Sequence, residues 1–367
     1  MKIGIVGGGQ LGLMLGQAAQ RLQIECAFLD PNPDCPAGKV GKLITADYTD
    51  TEALDQLSNW ADCVTCEFEN VPAESLTRLQ NHTNVRPGPH SFEITQDRLL
   101  EKSFAEEIGI PVPAFMAVED QAQLPDAVAH IGLPAVLKSR SGGYDGKNQV
   151  VLRSNSDVDT AFEAIGGRPA ILETFVPFEF EASAIVVRSI DGETLSWPPI
   201  GNEHRGGILH ISTCPCPSLD GKTQKLIQRH AAWIAEKLEH VGTLAVEFFV
   251  IGENVWFNEF APRVHNSGHL TIEYSTTSQF ENHIRAVAGL PLGSIDPIHT
   301  DSVGMMMNVV GEWPNLEEVC QDPMLNVHDY GKEPRPKRKI GHVTGVFDGM
   351  DRAEEFKRCV ESLHVPE

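Results

Sequence analysis

Residues 244–269 read LAVEFFVIGENVWFNEFAPRVHNSGH. Two apolar runs flank Gly252-Glu253-Asn254, a short glycine-containing break of the kind that closes a β-hairpin. Folding the stretch about Glu253 sets Ile251 opposite Val255, Phe249 opposite Phe257, and Glu247 opposite Glu259. Side chains alternate along a strand, so these six share one face, which is apolar except for two opposed carboxylates. Like charges so placed repel unless a cation sits between them. A hard divalent ion that shares its shell among carboxylate, water and phosphate oxygens answers that need: Mg²⁺, with Mn²⁺ as the alternative. The competing reading slips the register by one, so that the two glutamates never meet. Behind Pro262, the residues Arg263, His265, Asn266, Ser267 and His269 gather donors beside the expected metal, a place to hold an anionic intermediate. His265 and His269 as a helical zinc pair would need a Glu directly after the first His, and Asn266 stands there.

Outward from this stretch, the chain has 367 residues, room for about two or three domains with cores of their own. A formal net charge of −22 argues against a nucleic-acid partner, whose phosphates most of the surface would repel. Small anions remain suitable substrates, because local clusters govern a pocket. The chain opens directly on a strand-like run, Ile3-Gly4-Ile5-Val6, without a signal peptide, and no apolar run is long enough to span a bilayer. A cytoplasmic protein without membrane association is expected. Eight cysteines are scattered without a disulfide framework. Cys63 and Cys66 have CxxC spacing, yet they lie in an apparent strand, where positions three apart point to opposite faces.

At the N-terminal end, Gly7-Gly8-Gly9-Gln10-Leu11-Gly12 follows a strand and opens a helical pattern, a full match to G-x-G-x-x-G, and a second strand ends at Asp30. This supports a rival from another class, an NAD(P)-dependent oxidoreductase. Glycines at such a turn serve any phosphate at a helix N-terminus, so the fingerprint marks a phosphate site more firmly than it marks NAD. Glu67 and Glu69 end a further strand at the edge where open α/β sheets place ligands. From residue 97 the character changes: an amphipathic helix ends at Gly109, and Ile110-Pro111-Val112-Pro113 forms a rigid connector. Lys138 closes the next strand, and the glycine-rich loop of residues 139–147 leads into a returning strand, not a helix. That arrangement suits a flap over a nucleotide triphosphate, with Lys138 and Lys147 supplying charge. Glu173 lies at the junction of two lobes, where it can read a purine. A compact unit begins past Gly289-Leu290-Pro291, and its proline-stiffened basic run, residues 330–339, can hold a phosphomonoester. The expected divisions are a Rossmann-like N-terminal domain at 1–104, a lid with its flap at 105–176, a catalytic subdomain at 177–295 and a small β-rich unit at 296–367.

Taken together, GGGQLG at 7–12, EFENVP at 67–72, GGYDGK at 142–147, NEFAPRVHNSGH at 258–269 and RPKRKIGHV from Arg335 resemble the ATP-grasp superfamily. Within it, they resemble the 5-(carboxyamino)imidazole ribonucleotide synthases of purine biosynthesis, over nearly the whole chain to about residue 350. The resemblance implies an α/β and α+β multidomain fold: a Rossmann-like domain, an ATP-grasp fold and a C-terminal β-rich unit. It implies a Mg²⁺-dependent ligase in which bicarbonate attacks the γ-phosphate of ATP to give carboxyphosphate, and the exocyclic amine of aminoimidazole ribonucleotide is then carboxylated. Carried over by motif, ATP would be held by Arg98, Lys138, the flap Gly143, Tyr144, Asp145, Gly146, Lys147, Asn148 and Gln149, then Glu173, Thr174, Phe175, Val176, Glu181 and His204, with Asn258 and Glu259 beside the phosphates. Glu247 and Glu259 would bind the metal, and Arg263, His265 and Asn266 would act on bicarbonate or carboxyphosphate. Gln10, Glu67 or Glu69, Tyr144, Lys332 and Arg338 would hold the ribonucleotide. A homodimer is implied, as is hand-off of the product to a separate mutase.

Three positions depart from the family pattern. Asn148 stands for a glycine, and Asn is the residue after Gly that best tolerates positive φ. Val264 replaces a proline and Lys337 a glycine. Alternatives to this reading are a formate-dependent glycinamide ribonucleotide ligase of the same superfamily, the NAD(P) oxidoreductase, and a nucleotide-binding protein without catalysis.

Overall fold

The computed structural model describes residues 1–142, 148–319 and 322–363. Its first unit is a five-stranded sheet in the order Lys42–Thr45, Glu25–Asp30, Lys2–Val6, Cys63–Cys66, Asn84–Val85, paired in parallel throughout. Parallel strands buried on both faces read as unbroken apolar runs, and here alternate residues feed two cores. Ile3, Ile5, Cys26, Phe28 and Cys63 face one core, which Val264, Phe280 and Tyr330 complete from far along the chain. Val6, Ala27, Leu29, Val64 and Cys66 face the other, under the helices Thr51–Trp60 and Ala73–Gln80. The CxxC cysteines therefore lie on opposite faces, as their strand spacing requires, and Cys26, Cys35, Cys63, Cys66, Cys214 and Cys216 are free thiols.

A four-stranded antiparallel sheet follows, ordered Phe115–Val118, Ala170–Thr174, Ala135–Ser139, Gln149–Leu152. The helices Leu124–Ile131 and Val158–Ala164 cover one of its faces. The third sheet has nine strands, with Asn254–Ala261 at one edge beside Gly242–Ile251 and Phe180–Arg188. The helix Gly221–Lys237 packs on it. The Asp220 carboxylate caps that helix by accepting from the Thr223 N–H, and Ile227, Ala231, Ile234 and Ala235 recur at helical spacing to reach the core. The C-terminal unit is β-rich, but it does not close a sheet of its own. Val303–Val310 pairs with Ile208–Cys214, so Lys339–Phe347 and Leu325–Asp329 extend the catalytic sheet. This continuity carries the basic run to the active-site side. Among the described residues, no helix is long and apolar enough to cross a membrane.

Candidate active site

The opening hairpin forms with Glu247 facing Glu259, although by a different route from the one expected. Its tip is the two-residue turn Gly252-Glu253, with Gly252 at φ +54, so Ile251 faces Asn254, and Phe248, not Phe249, faces Phe257. The register then shifts between Glu247 and Phe248, which leaves Asn258 as the extra residue of a β-bulge. The consequence is a division of faces. Phe248 and Phe257 enter the core, while Ala245, Glu247, Phe249, Asn258 and Glu259 line a cavity of about 950 Å³. Phe249 stacks on Phe178 at 4.7 Å between ring centroids, an aromatic pair in the cavity wall.

Burial first, then the Glu259 charge, raises the Glu247 carboxyl. Burial works the same way on Glu259, but Arg98, whose Nη1 lies 2.6 Å from its Oε2, outweighs it and holds that carboxyl low. A carboxylate pair under this repulsion fits a divalent cation, and among the described residues no group of three His, Cys, Asp or Glu gathers elsewhere as a metal cage. Two carboxylates leave the remaining positions of a Mg²⁺ shell for water and phosphate oxygens.

The lid sheet supplies the opposite wall, through Val136, Lys138, Gln149, Val151, Glu173, Thr174, Phe175 and Val176. Lys138 Nζ lies 3.0 Å from Glu173 Oε2, and the buried Lys102 lies 3.3 Å from the same oxygen. The other oxygen, Glu173 Oε1, is buried without a hydrogen-bond partner. Nearby, His204 Nδ1 is 2.6 Å from Glu181 Oε2; burial disfavours the imidazolium, but Glu181 more than offsets it and the His204 pKa is raised. Asn148 has φ +56, so the expectation that Asn carries the family's glycine conformation is met, and its Nδ2 donates to the Gly142 carbonyl at 3.2 Å. Gly143, Tyr144, Asp145, Gly146 and Lys147 lie outside the described residues.

Beyond the bulge, the HNSGH segment is held from several sides. Gln279 brackets the His265 backbone, accepting its N–H at 3.0 Å and donating to its carbonyl at 2.6 Å. Ser267 receives a hydrogen bond from Ser183 at 2.7 Å, and the Asn266 and Asn308 amides exchange two. His265 Nε2 lies 3.6 Å from Glu247 Oε1, and burial, then Arg263, pushes its pKa down to about 3, so the ring is neutral at ordinary pH. Arg263 pairs with Glu69.

On the far side, the GGGQLG loop is already satisfied. Gly8 N–H donates to Asp30 Oδ2 at 2.7 Å and Gly9 N–H to Glu67 Oε1 at 2.6 Å. Tyr48 also donates to Asp30. A Cβ on Gly8 would lie 2.5 Å from Cys35 Sγ, so close packing accounts for that glycine. The donors that would cradle a pyrophosphate, and the acid that would hold its ribose, are spent on each other. The dinucleotide reading fails on this geometry. Lys332, from the C-terminal unit, donates to the Gln10 side chain across the cavity. Arg338 does not line the cavity: its Nη1 donates to the Glu333 carbonyl at 3.1 Å, and the neighbouring Lys339 faces inward in its place. A strand begins at Lys339, and strand alternation turns the two cations opposite ways. All other described candidates except Asn148, Ser267 and His269 line the same cavity, and Ser267 and His269 are fully buried behind it. Sequence reasoning missed Lys102, which reads as a surface charge on its helix, and Phe178, which lies outside the motifs; Lys339 was placed only within the basic run, and Phe249 only on the face of the two glutamates.

A lid sheet closing on an antiparallel catalytic sheet, with opposed glutamates between them, defines an ATP-grasp ligase. The ATP-grasp domain model matches residues 103–280, the ribonucleotide synthetase preATP-grasp domain residues 1–96, and the phosphoribosylaminoimidazole carboxylase C-terminal domain residues 304–355. The N5-carboxyaminoimidazole ribonucleotide synthase of Pseudomonas aeruginosa is 48% identical over 361 residues, covering 98% of each chain. The crystal structure of the Thermus thermophilus synthetase superposes with a TM-score of 0.94 at 44% identity, covering 100% of this chain and 99% of that one. The Aspergillus clavatus enzyme, solved with ADP and 5-aminoimidazole ribonucleotide, superposes at 0.92 with 29% identity over 99% of this chain and 98% of its own. The chain belongs to the N5-carboxyaminoimidazole ribonucleotide synthase family, which sets aside the glycinamide ribonucleotide reading.

Proposed function

We propose that the chain carboxylates 5-aminoimidazole ribonucleotide with bicarbonate in purine biosynthesis, consuming ATP through carboxyphosphate. The observation that carries this reading is the carboxylate pair Glu247 and Glu259 directly beside the neutral His265 and the Arg263–Glu69 pair, in one cavity with Lys138. A bicarbonate oxygen attacks the γ-phosphorus in line and ADP leaves; the ribonucleotide amine then attacks the carboxyl carbon and phosphate leaves. Phosphoryl transfer of this kind needs charge neutralisation more than covalent help. Glu247 and Glu259 would hold Mg²⁺, which supplies part of that neutralisation. Arg98 and Lys138 meet the phosphates, the segment Glu173 to Val176 meets the base, and Glu181 with His204 meets the ribose. Arg263, His265 and Asn266 orient bicarbonate. His265, being neutral, can donate or accept a single hydrogen bond without fixing the anion too firmly to react.

Glu67, Gln10 and Lys332 hold the ribonucleotide, with Lys339 in the place first given to Arg338. The domain boundaries at 104 and 176 are supported by the separation of the three sheets, whereas the boundary at 295 falls within the third sheet and rests on the family resemblance. The acidic net charge supports small-molecule partners over nucleic acid. A homodimer, a cytoplasmic location and hand-off to a separate mutase rest on the family resemblance. Bicarbonate labelled with ¹⁸O tests the route: one label must appear in the phosphate released during ribonucleotide-dependent turnover. Turnover that leaves the phosphate unlabelled would exclude carboxyphosphate.

A further inference from the structure

We propose that Lys102, which is not among the residues lining the cavity, is a positioning residue of the nucleotide site: it neutralises Glu173 from behind, so that the charge of Lys138 is left for the bound nucleotide. The inference rests on the reading that this cavity takes an adenine nucleotide.

Two ammonium groups share one carboxylate oxygen here, Lys102 at 3.3 Å and Lys138 at 3.0 Å from Glu173 Oε2. One carboxylate cancels one of them, and the surroundings decide which. Lys102 is 1% exposed, donates to the Phe257 carbonyl at 3.3 Å and sits 5.5 Å from the centre of the Phe257 ring. A cation so enclosed persists only if it is paired, so it claims the carboxylate. Lys138 lines the cavity and keeps a net charge that faces it. Glu173 Oε1, buried and without a partner, is left as an acceptor in the same wall. Burial alone would raise the Glu173 carboxyl; Lys102 first, then Lys138, keep it ionised.

The same ammonium also spans three pieces of the fold. Lys102 belongs to the helix Arg98–Glu107, Phe257 to the catalytic hairpin, and Glu173 to the lid strand Ala170–Thr174. Its neighbour Glu101 fixes the helix to the hairpin by accepting the Phe260 N–H at 2.7 Å. Without Lys102, Glu173 would draw on Lys138 alone and pull its charge off the nucleotide.

The test is calorimetric titration with ADP and, separately, with the ribonucleotide, on wild type, Lys102→Met and Lys102→Met/Glu173→Gln. The single variant should weaken ADP by about tenfold or more and leave the ribonucleotide within about twofold. In the double variant no carboxylate claims Lys138, while the glutamine still offers an acceptor, so ADP binding should return to within about threefold of wild type. A merely structural lysine predicts the reverse, with two damaging changes adding. A double variant no better than the single, or a single variant that weakens both ligands alike, would overturn the proposal. Should Lys102→Met fail to fold, the double variant, whose one cation left without its carboxylate is Lys138 in the cavity wall, decides alone against wild type: near-native ADP affinity supports the proposal and a tenfold loss overturns it. Wild type that binds ADP but never consumes ATP would instead refute the carboxylation reading, and the titrations would still judge Lys102.

Discussion

Lys332 reaches over the cavity to Gln10 from a half-buried position. Burial first, then the neighbouring Arg338, pushes its pKa down to about 8. Below that pH the ammonium is present and can hold the ribonucleotide phosphate; above it the charge is lost. The value of kcat/KM for the ribonucleotide, which reports groups of the free enzyme, should therefore fall as pH rises through about 8. In Lys332→Arg the alkaline fall should vanish, because a guanidinium stays charged. An unaltered profile in that variant would assign the limb to another group. One single position was legible from residue type alone: Asn148, at φ +56, occupies the left-handed conformation that the glycine of the family pattern allows. Lys337, at φ +62, shares that conformation without its residue type announcing it. Arg338 was not legible, because which of two adjacent cations faces inward depends on where a strand begins.

Among the elements, the hairpin shows how a correct pairing can rest on an incorrect register. Simple alternation about Glu253 paired the two glutamates, and the structure pairs them through a tighter tip and a compensating bulge at Asn258. Period-2 reasoning has no place for an extra residue, so it set Phe249 against Phe257 and put Phe257 on the face of the glutamates, where the structure turns it into the core. The bulge makes a prediction of its own. Deleting Asn258 must turn Phe257 out or Glu259 in, at a cost of about 3 kcal/mol or more. Asn258→Ala keeps the register and should cost under about 1 kcal/mol. Denaturant unfolding of both variants compares them, and similar losses would mean that the bulge does not set the faces. The GGGQLG turn was legible as an element but not as a site, since only the folded chain shows Asp30 and Glu67 filling its donors.

For the molecule as a whole, the cavity draws on all three sheets, and its polar contacts join residues far apart in sequence, such as Lys332 with Gln10 and Arg98 with Glu259. Motifs confined to one strand or turn could be read in advance, because their neighbours are set by local geometry. Lys102 could not: on its amphipathic helix it reads as a solvated charge, and its partners arrive from Phe257 and Glu173 only when the lobes pack. A net charge of −22 likewise conceals the cations Arg98, Lys138, Arg140, Arg263, Lys332 and Lys339 that line the cavity among its carboxylates. The central claim is that this assembled cavity joins ATP, bicarbonate and the ribonucleotide through the opposed glutamates. ADP release with Mg²⁺-ATP and bicarbonate, with and without 5-aminoimidazole ribonucleotide, on wild type and Glu259→Ala, tests it most directly. Turnover should require the ribonucleotide and fall by about 100-fold or more in the variant. Turnover indifferent to the ribonucleotide, or undiminished in Glu259→Ala, would contradict it.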